Sequence, residues 1–260
     1  MSALATGLAV VGLIWSGHGP PSAAADRGAA YPTVRVEAEP SGVSAAALGQ
    51  LERHAQAAAD DVRRCLGFSR ARSIRIVLDG KVRTPFAGDV DAEGHAEIRL
   101  PAARFDQVDV AASKFALHHE LTHVIAPGHA SDRLLIEGLG VHMQDLLGNA
   151  SYPDFEASPE EVVRTLEAEG IMIPLAESER ARRERPTGEE RRLAYAQEGA
   201  FVRWLIGLRG LDVFMNVYEG RATLEAAYDL HLSQLEQSWR AARTAASPAS
   251  ATAHRYCRAR

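Results

Sequence analysis

His119-Glu120-Leu121-Thr122-His123 sets two imidazoles four positions apart with a glutamate beside the first. On a helix, positions i and i+4 lie on one face, one turn apart. Two histidines in that register can grip a single Zn2+ ion, and Glu120 then stands next to it as a general base. The flanking Val110, Phe115, Leu117, Leu121, Val124 and Ile125 give the segment an apolar surface for burial. Three ionisable side chains on such a helix are costly to bury unless something pairs them, and a metal ion does so.

Catalytic zinc takes three protein ligands and keeps a fourth position for water. Two residues compete for the third place. His129 follows His123 at the spacing His-Glu-x-x-His-x-x-Gly-x-x-His, but Ala126 occupies the glycine position and Pro127-Gly128 puts the chain break two residues later. Glu137 lies in Asp132-Arg133-Leu134-Leu135-Ile136-Glu137-Gly138-Leu139-Gly140-Val141, a second helical stretch that Ser131 or Asp132 can cap. Gly138 and Gly140 each cost a helix about 1 kcal/mol relative to alanine, a cost that makes sense where two backbones must approach closely.

The His129 spacing resembles the metzincin peptidases, without their glycine or a methionine-turn signature; Met143 and Met172 are isolated. The Glu137 segment resembles the gluzincins, whose next helix supplies a glutamate ligand. Tyr195-Ala196-Gln197-Glu198-Gly199-Ala200-Phe201-Val202-Arg203-Trp204-Leu205 is similar to a segment of bacterial peptidase-MA-like gluzincins, and Leu232 to Arg240 to their closing helix. The likeness runs from about residue 73 to 245 and is most specific over 119–137. It implies a zinc-dependent peptidase: His119, His123 and Glu137 as metal ligands, Glu120 as catalytic base, and Tyr195 as hydrogen-bond donor to the oxyanion. The Gly-x-Met-x-Asn motif of gluzincin aminopeptidases is absent, and Val141 stands where thermolysin-like members carry an acid. Asp132 and Asp145 are the candidates for orienting the histidines. Two other readings remain open: a non-catalytic zincin-fold binding protein, and a metzincin-like peptidase that uses His129.

The elements that would position these groups are legible from periodicity. Period-two alternation predicts strands at Thr33–Glu39, Ser73–Leu78 and His95–Leu100, the last ending at Pro101 as an edge strand able to pair with an extended peptide. A helix is expected over 44–66, and turn chemistry fills Gly88–Gly94. Period 3.6 then predicts helices near 108–126, 132–147, 158–169, 189–208, 210–219 and 231–245. The expected fold is α+β and zincin-like. A small β-containing N-terminal lobe (about 33–126) precedes a helical C-terminal lobe (about 127–245), with the active-site helix between them in one catalytic domain over 33–245. Residues 177–192 (ESERARRERPTGEERR) carry both charge signs and read as a solvated loop.

The 260 residues are 46% hydrophobic and 24% charged, and the net charge of −5 provides no basic field to draw nucleic acid. Leu4–Trp15 is an uncharged apolar run followed by Pro20-Pro21 and Ser22-Ala23-Ala24-Ala25-Asp26. That order reads as a signal peptide over 1–25 with cleavage after Ala25, then a linker at 26–32. The run is shorter than the ~20 residues that span a bilayer, so no stable membrane insertion is expected after cleavage. No Lys or Arg precedes it, and a tail segment is the other reading. An exported protein acting on peptide or protein substrates is the expectation. Cys65 and Cys257 could join the tail (246–260) to the first helix or remain two thiols. The sequence does not indicate an oligomeric state.

Overall fold

Alternation builds the sheet and 3.6-periodicity the rest. The structure, a computed structural model, describes residues 31–39, 43–102, 116–129, 133–148, 157–184 and 188–245, together with Cys257. The proposed signal peptide and most of the linker and tail lie outside these residues. Strands β1 (Thr33–Ala38), β2 (Ser73–Asp79), β3 (Phe86–Ala87) and β4 (His95–Pro101) form one sheet in the order β1-β2-β4-β3. Ile74, Ile76 and Leu78 of β2 and Ala96, Ile98 and Leu100 of β4 are buried. On the other face Arg75 lies on Glu37 at 3.1 Å and Arg99 on Asp79 at 2.8 Å, while Val77 is buried.

Helix α1 (Ala45–Leu66) joins β1 to β2, and the two strands pair in parallel. Ser44 caps its start by accepting from the Ala47 N–H, and Gly67, at φ 84°, ends it in the left-handed conformation that glycine adopts freely. Leu51, Ala55, Ala58, Val62 and Cys65 form its buried stripe. Two polar residues of α1 close the outer side of β1. The Val34 N–H donates to Gln56 Oε1 at 2.9 Å, and the Val36 N–H donates to Glu52 Oε2 at 3.0 Å. Disulfide-bonded Cys65 and Cys257 tie the far C-terminal residue to α1 across 192 positions.

The coarse expectation holds: a small sheet near the N-terminus and a mainly helical remainder. Two details differ. The sheet is mostly parallel, which alternation alone does not reveal. And β4 is not an edge strand. The connection from β2 folds back as β3, pairing antiparallel with Ile98 and Arg99, while the Gly88 N–H bonds Glu97 O and the Asp91 N–H bonds His95 O. The side of β4 expected to receive a peptide is thus occupied by its own connection.

The helical part comprises α2 (Leu117–Ile125), α3 (Arg133–Leu147), α4 (Pro159–Ala168), a 3-10 turn at Leu175–Glu177, α5 (Ser178–Glu184), α6 (Glu189–Arg209), α7 (Leu211–Tyr218), α8 (Leu224–Tyr228) and α9 (Leu232–Ala245). The helix predicted from residue 108 begins at Leu117, because Ala116 is not helical; 103–115 lie outside the described residues. Ser158 and Glu161 form a capping box ahead of α4. Helix α6 is the central post. It packs on α3, α4, α5, α7 and α9, and Phe201 meets the fully buried Trp239 of α9 edge-on at 5.7 Å. One hydrophobic cluster runs from Val34 of β1 to Trp239. No described helix is long and apolar enough to cross a membrane.

Candidate metal centre

Helix α2 is only nine residues long, yet both of its ends are fixed by its surroundings. The His119 N–H donates to Gln144 Oε1 of α3 at 3.3 Å. At the other end the Arg70 N–H donates to Ile125 O at 2.8 Å, and the Tyr218 hydroxyl donates to Ala126 O at 2.6 Å. These donors take carbonyls that a helix end otherwise leaves unpaired. Helix α2 therefore stops at Ile125, and Ala126 (φ −130°) terminates it without a glycine.

The histidines of α2 and Glu137 of α3 converge. His119 Nε2 lies 3.1 Å from His123 Nε2, and Glu137 Oε2 lies 3.3 Å and 3.7 Å from the two. Four ligands at ~2.0–2.1 Å around a tetrahedral zinc are separated by about 3.4 Å. The triangle thus has the size of one face of a zinc tetrahedron, and its N, N, O composition suits that ion. Among the described residues, His119, His123 and Glu137 are the group able to hold a metal.

The electrostatics agree with a cation-binding role. Burial opposes ionisation of Glu137, but hydrogen bonds from His119 and His123 outweigh it and hold the carboxyl well below its ordinary range. Burial also disfavours charge on His123, and the bond to Glu137 overrides it, raising that imidazole. Glu120 is only 8% exposed. Unlike Glu137, Glu198 and Asp79, its carboxylate has no hydrogen bond or ion pair among the described residues. The Glu120 carboxylate is near enough to His123 to act on its charge.

The glycines explain how α3 comes so near. A Cβ on Gly140 would stand 2.9 Å from His119 Nδ1 and 3.0 Å from Cε1, so the imidazole lies against bare backbone. A Cβ on Gly138 would stand 2.6 Å from the Glu198 carbonyl oxygen of α6. Across the same interface, one on Gly199 would collide with Val141. The close approach expected from the two glycines is present, divided between the His119 ring and helix α6.

The other sequence candidates separate clearly. His129 does not join the triangle: its N–H donates to Tyr218 O at 2.8 Å, and its ring lies where a side chain on Gly220 would be. His118, one position before the motif, is half-buried, and the loss of solvation pushes its imidazole down to about 4 against the pull of Asp61. Asp145 sits 3.7 Å from Arg203, and Asp132 lies outside the described residues. The Tyr195 ring stands 6.3 Å from the His119 ring, edge to face. Burial raises its phenol above the ordinary value, which keeps it protonated and able to donate.

The charge run at 177–192 is not a plain solvated loop. Helix α5 turns Ser178, Ala181 and Arg182 inward and leaves Glu179, Arg180 and Arg183 outside in pairs such as Arg183–Glu179 at 3.3 Å. Arg182, 6% exposed, donates from Nε to Glu198 Oε1 at 2.9 Å and brings Nη1 to 3.6 Å from Glu137 Oε1. Burial raises Glu198, while Arg182 pulls it back toward ionisation. Sequence reasoning misses Arg182 as a site residue, although the inward stripe of small residues at 178 and 181 is a signal for it. Glu198, a lone acid within apolar Ala194–Val202, is another.

No protein-family model, curated protein or solved structure matches this chain. Its chemistry rests on these residues and their geometry.

Proposed function

We propose that the protein is a zinc-dependent peptidase with a gluzincin-type centre in a zincin-like fold. The observation that carries this reading is the triangle of His119 Nε2, His123 Nε2 and Glu137 Oε2, of tetrahedral-face size, with the buried Glu120 acting on the charge of His123. Zinc held by these three ligands would supply Lewis-acid chemistry, polarising a carbonyl and lowering the pKa of water toward ~7. Glu120 takes the proton of the water that attacks the scissile carbonyl and delivers it to the leaving amine. The Tyr195 phenol donates a hydrogen bond to the oxyanion. His119 and His123 must be neutral to act as ligands, so both lose any proton when the ion binds.

Export belongs to the same proposal. The Cys65–Cys257 disulfide is at home in an oxidising compartment, and the apolar N-terminal run has the form of a secretory signal. N-terminal sequencing of the exported protein should begin at Asp26; an intact Met1 on exported material would refute cleavage.

The deciding experiment compares the parent, Glu120→Gln and Tyr195→Phe on unstructured protein substrates, with bound zinc measured alongside. Glu120→Gln should keep its zinc and lose turnover. Tyr195→Phe should keep zinc and lower kcat, by about 100-fold for a lost oxyanion donor. A zinc-loaded parent without turnover would instead support a non-catalytic metal-binding protein.

A further inference from the structure

We infer that Arg182, anchored by Glu198, is a positioning residue that fixes the Glu137 carboxylate so that Oε2 faces the two histidines. This rests on the metal reading above and extends it beyond the ligands. The two oxygens of Glu137 have different neighbours. Oε2 stands 3.3 and 3.7 Å from the histidine nitrogens, and Oε1 stands 3.6 Å from Arg182 Nη1. The terminal torsion of a glutamate is soft, so nothing in the side chain itself selects which oxygen points where. A cation held on one oxygen does.

Arg182 is suited to the task because it is itself immobilised. Its Nε donates to Glu198 Oε1 at 2.9 Å, and Glu198 is fully buried on α6. Its backbone carbonyl accepts from Arg191 Nη1 at 2.7 Å, and its guanidinium lies 5.4 Å from the centre of the Tyr195 ring. The planar guanidinium presents Nε and Nη1 in a fixed relation, so gripping Glu198 with one sets the other against Glu137. Glu198 also supplies the balancing charge. Without it, Glu137 would be the nearest counter-ion for a buried guanidinium, and Arg182 would compete with the metal for the ligand carboxylate. Buried ion pairs are weak sources of stability, and apolar replacements of similar volume commonly fold as well. The location of this pair, directly behind a ligand, points to positioning.

The test uses the full chain, with zinc affinity read by competition against a chromophoric chelator and ligand geometry by the visible spectrum of the Co2+-loaded protein. Arg182→Gln should bind zinc about 10–100-fold more weakly, the range typical of lost outer-sphere partners, and its cobalt spectrum should shift. Glu198→Gln should weaken zinc in the same direction. Arg182→Lys keeps the charge without the fork and should restore only part of the affinity. The double variant Arg182→Met/Glu198→Leu replaces the pair by apolar groups and guards against misfolding of the single changes. It should match the parent in urea unfolding without metal and still bind zinc at least about tenfold more weakly. A double variant that folds and binds zinc within about twofold of the parent overturns the inference, provided Glu137→Gln has lost the metal. If Glu137→Gln also keeps parental zinc affinity, the metal reading itself fails.

Discussion

Three glycine-to-alanine changes on two touching helices separate fold stability from metal binding. A Cβ on Gly207 of α6 would have nothing within 4 Å, so Gly207→Ala should stabilise by about 1 kcal/mol through helix propensity alone. Gly138→Ala has the same intrinsic gain and a severe obstacle. Its Cβ would stand 2.5 Å from Val202 Cγ2 and 2.6 Å from the Glu198 carbonyl oxygen. Val202 can turn away; the carbonyl is backbone and cannot. Restoring an ordinary contact of 3.4 Å requires α3 and α6 to part by about 0.8 Å, and overpacking of this kind costs about 1–3 kcal/mol. The net effect should be a loss of about 0–2 kcal/mol, with none of the gain seen at Gly207.

Gly140→Ala lies between these cases and is the informative one. Its Cβ would meet three atoms of the His119 ring at 2.9–3.2 Å. The ring must retreat by about 0.3–0.5 Å, which roughly cancels the helix gain in the metal-free protein. That retreat exceeds the ~0.2 Å within which ligand distances must fall. Urea unfolding of metal-free Gly140→Ala should therefore stay near the parent, while zinc affinity falls at least about tenfold, as for other displaced ligands. Both quantities are read on the same samples, by denaturation with chelator present and by zinc competition. Parental zinc affinity in Gly140→Ala, or a Gly138→Ala protein stabilised like Gly207→Ala, would refute the packing argument.

Two further outcomes follow from the charges and the cross-link. In the metal-free protein, Glu137 is lowered from 4.5, so its contribution is present above that pH and lost as pH falls; His123 is raised from 6.5, so its contribution is present below 6.5 and lost as pH rises through the higher folded value. Chelator-treated protein should gain most from this pair between about pH 4.5 and 6.5, Glu137→Gln should flatten both limbs, and an unaltered pH profile in that variant would exclude the coupling. Removing the disulfide by Cys257→Ser should cost about 2–4 kcal/mol, because it frees a cross-link between positions 192 apart, and should lower Tm by about 5–15 °C; an unchanged Tm under non-reducing conditions would show that the bond contributes nothing.

What the sequence made legible was local. The spacing of His119 and His123 is set by one helical turn, so their shared face followed from the chain alone. Glu137 was legible for a related reason: Gly138 and Gly140 are expensive inside a helix unless they permit contact, and both do. The strands at 33–38, 73–79 and 95–101 followed from alternation to within a residue or so. Their order did not, because alternation encodes which face is buried and carries no information on which strand lies alongside. The two-residue β3 is too short to leave a period, and without it β4 looks like an edge.

Arg182 shows where charge composition misleads. A run such as ESERARRER has the average character of a solvated surface, and among its described residues Glu177, Glu179, Arg180, Arg183 and Glu184 do pair on the outside at i,i+3 and i,i+4. Arg182 faces inward, and no count of charges distinguishes it from Arg180 or Arg183. What distinguishes it is an acid sixteen positions later on another helix, with the Glu137 carboxylate within reach of the same guanidinium. Burying Arg182 is tolerable only because both acids are there to meet it. Its orientation is therefore a property of the assembled α3–α5–α6 contact. The same contact brings Glu137 to the histidines, so the packing that completes the His119–His123–Glu137 triangle also sets Arg182 against Glu137.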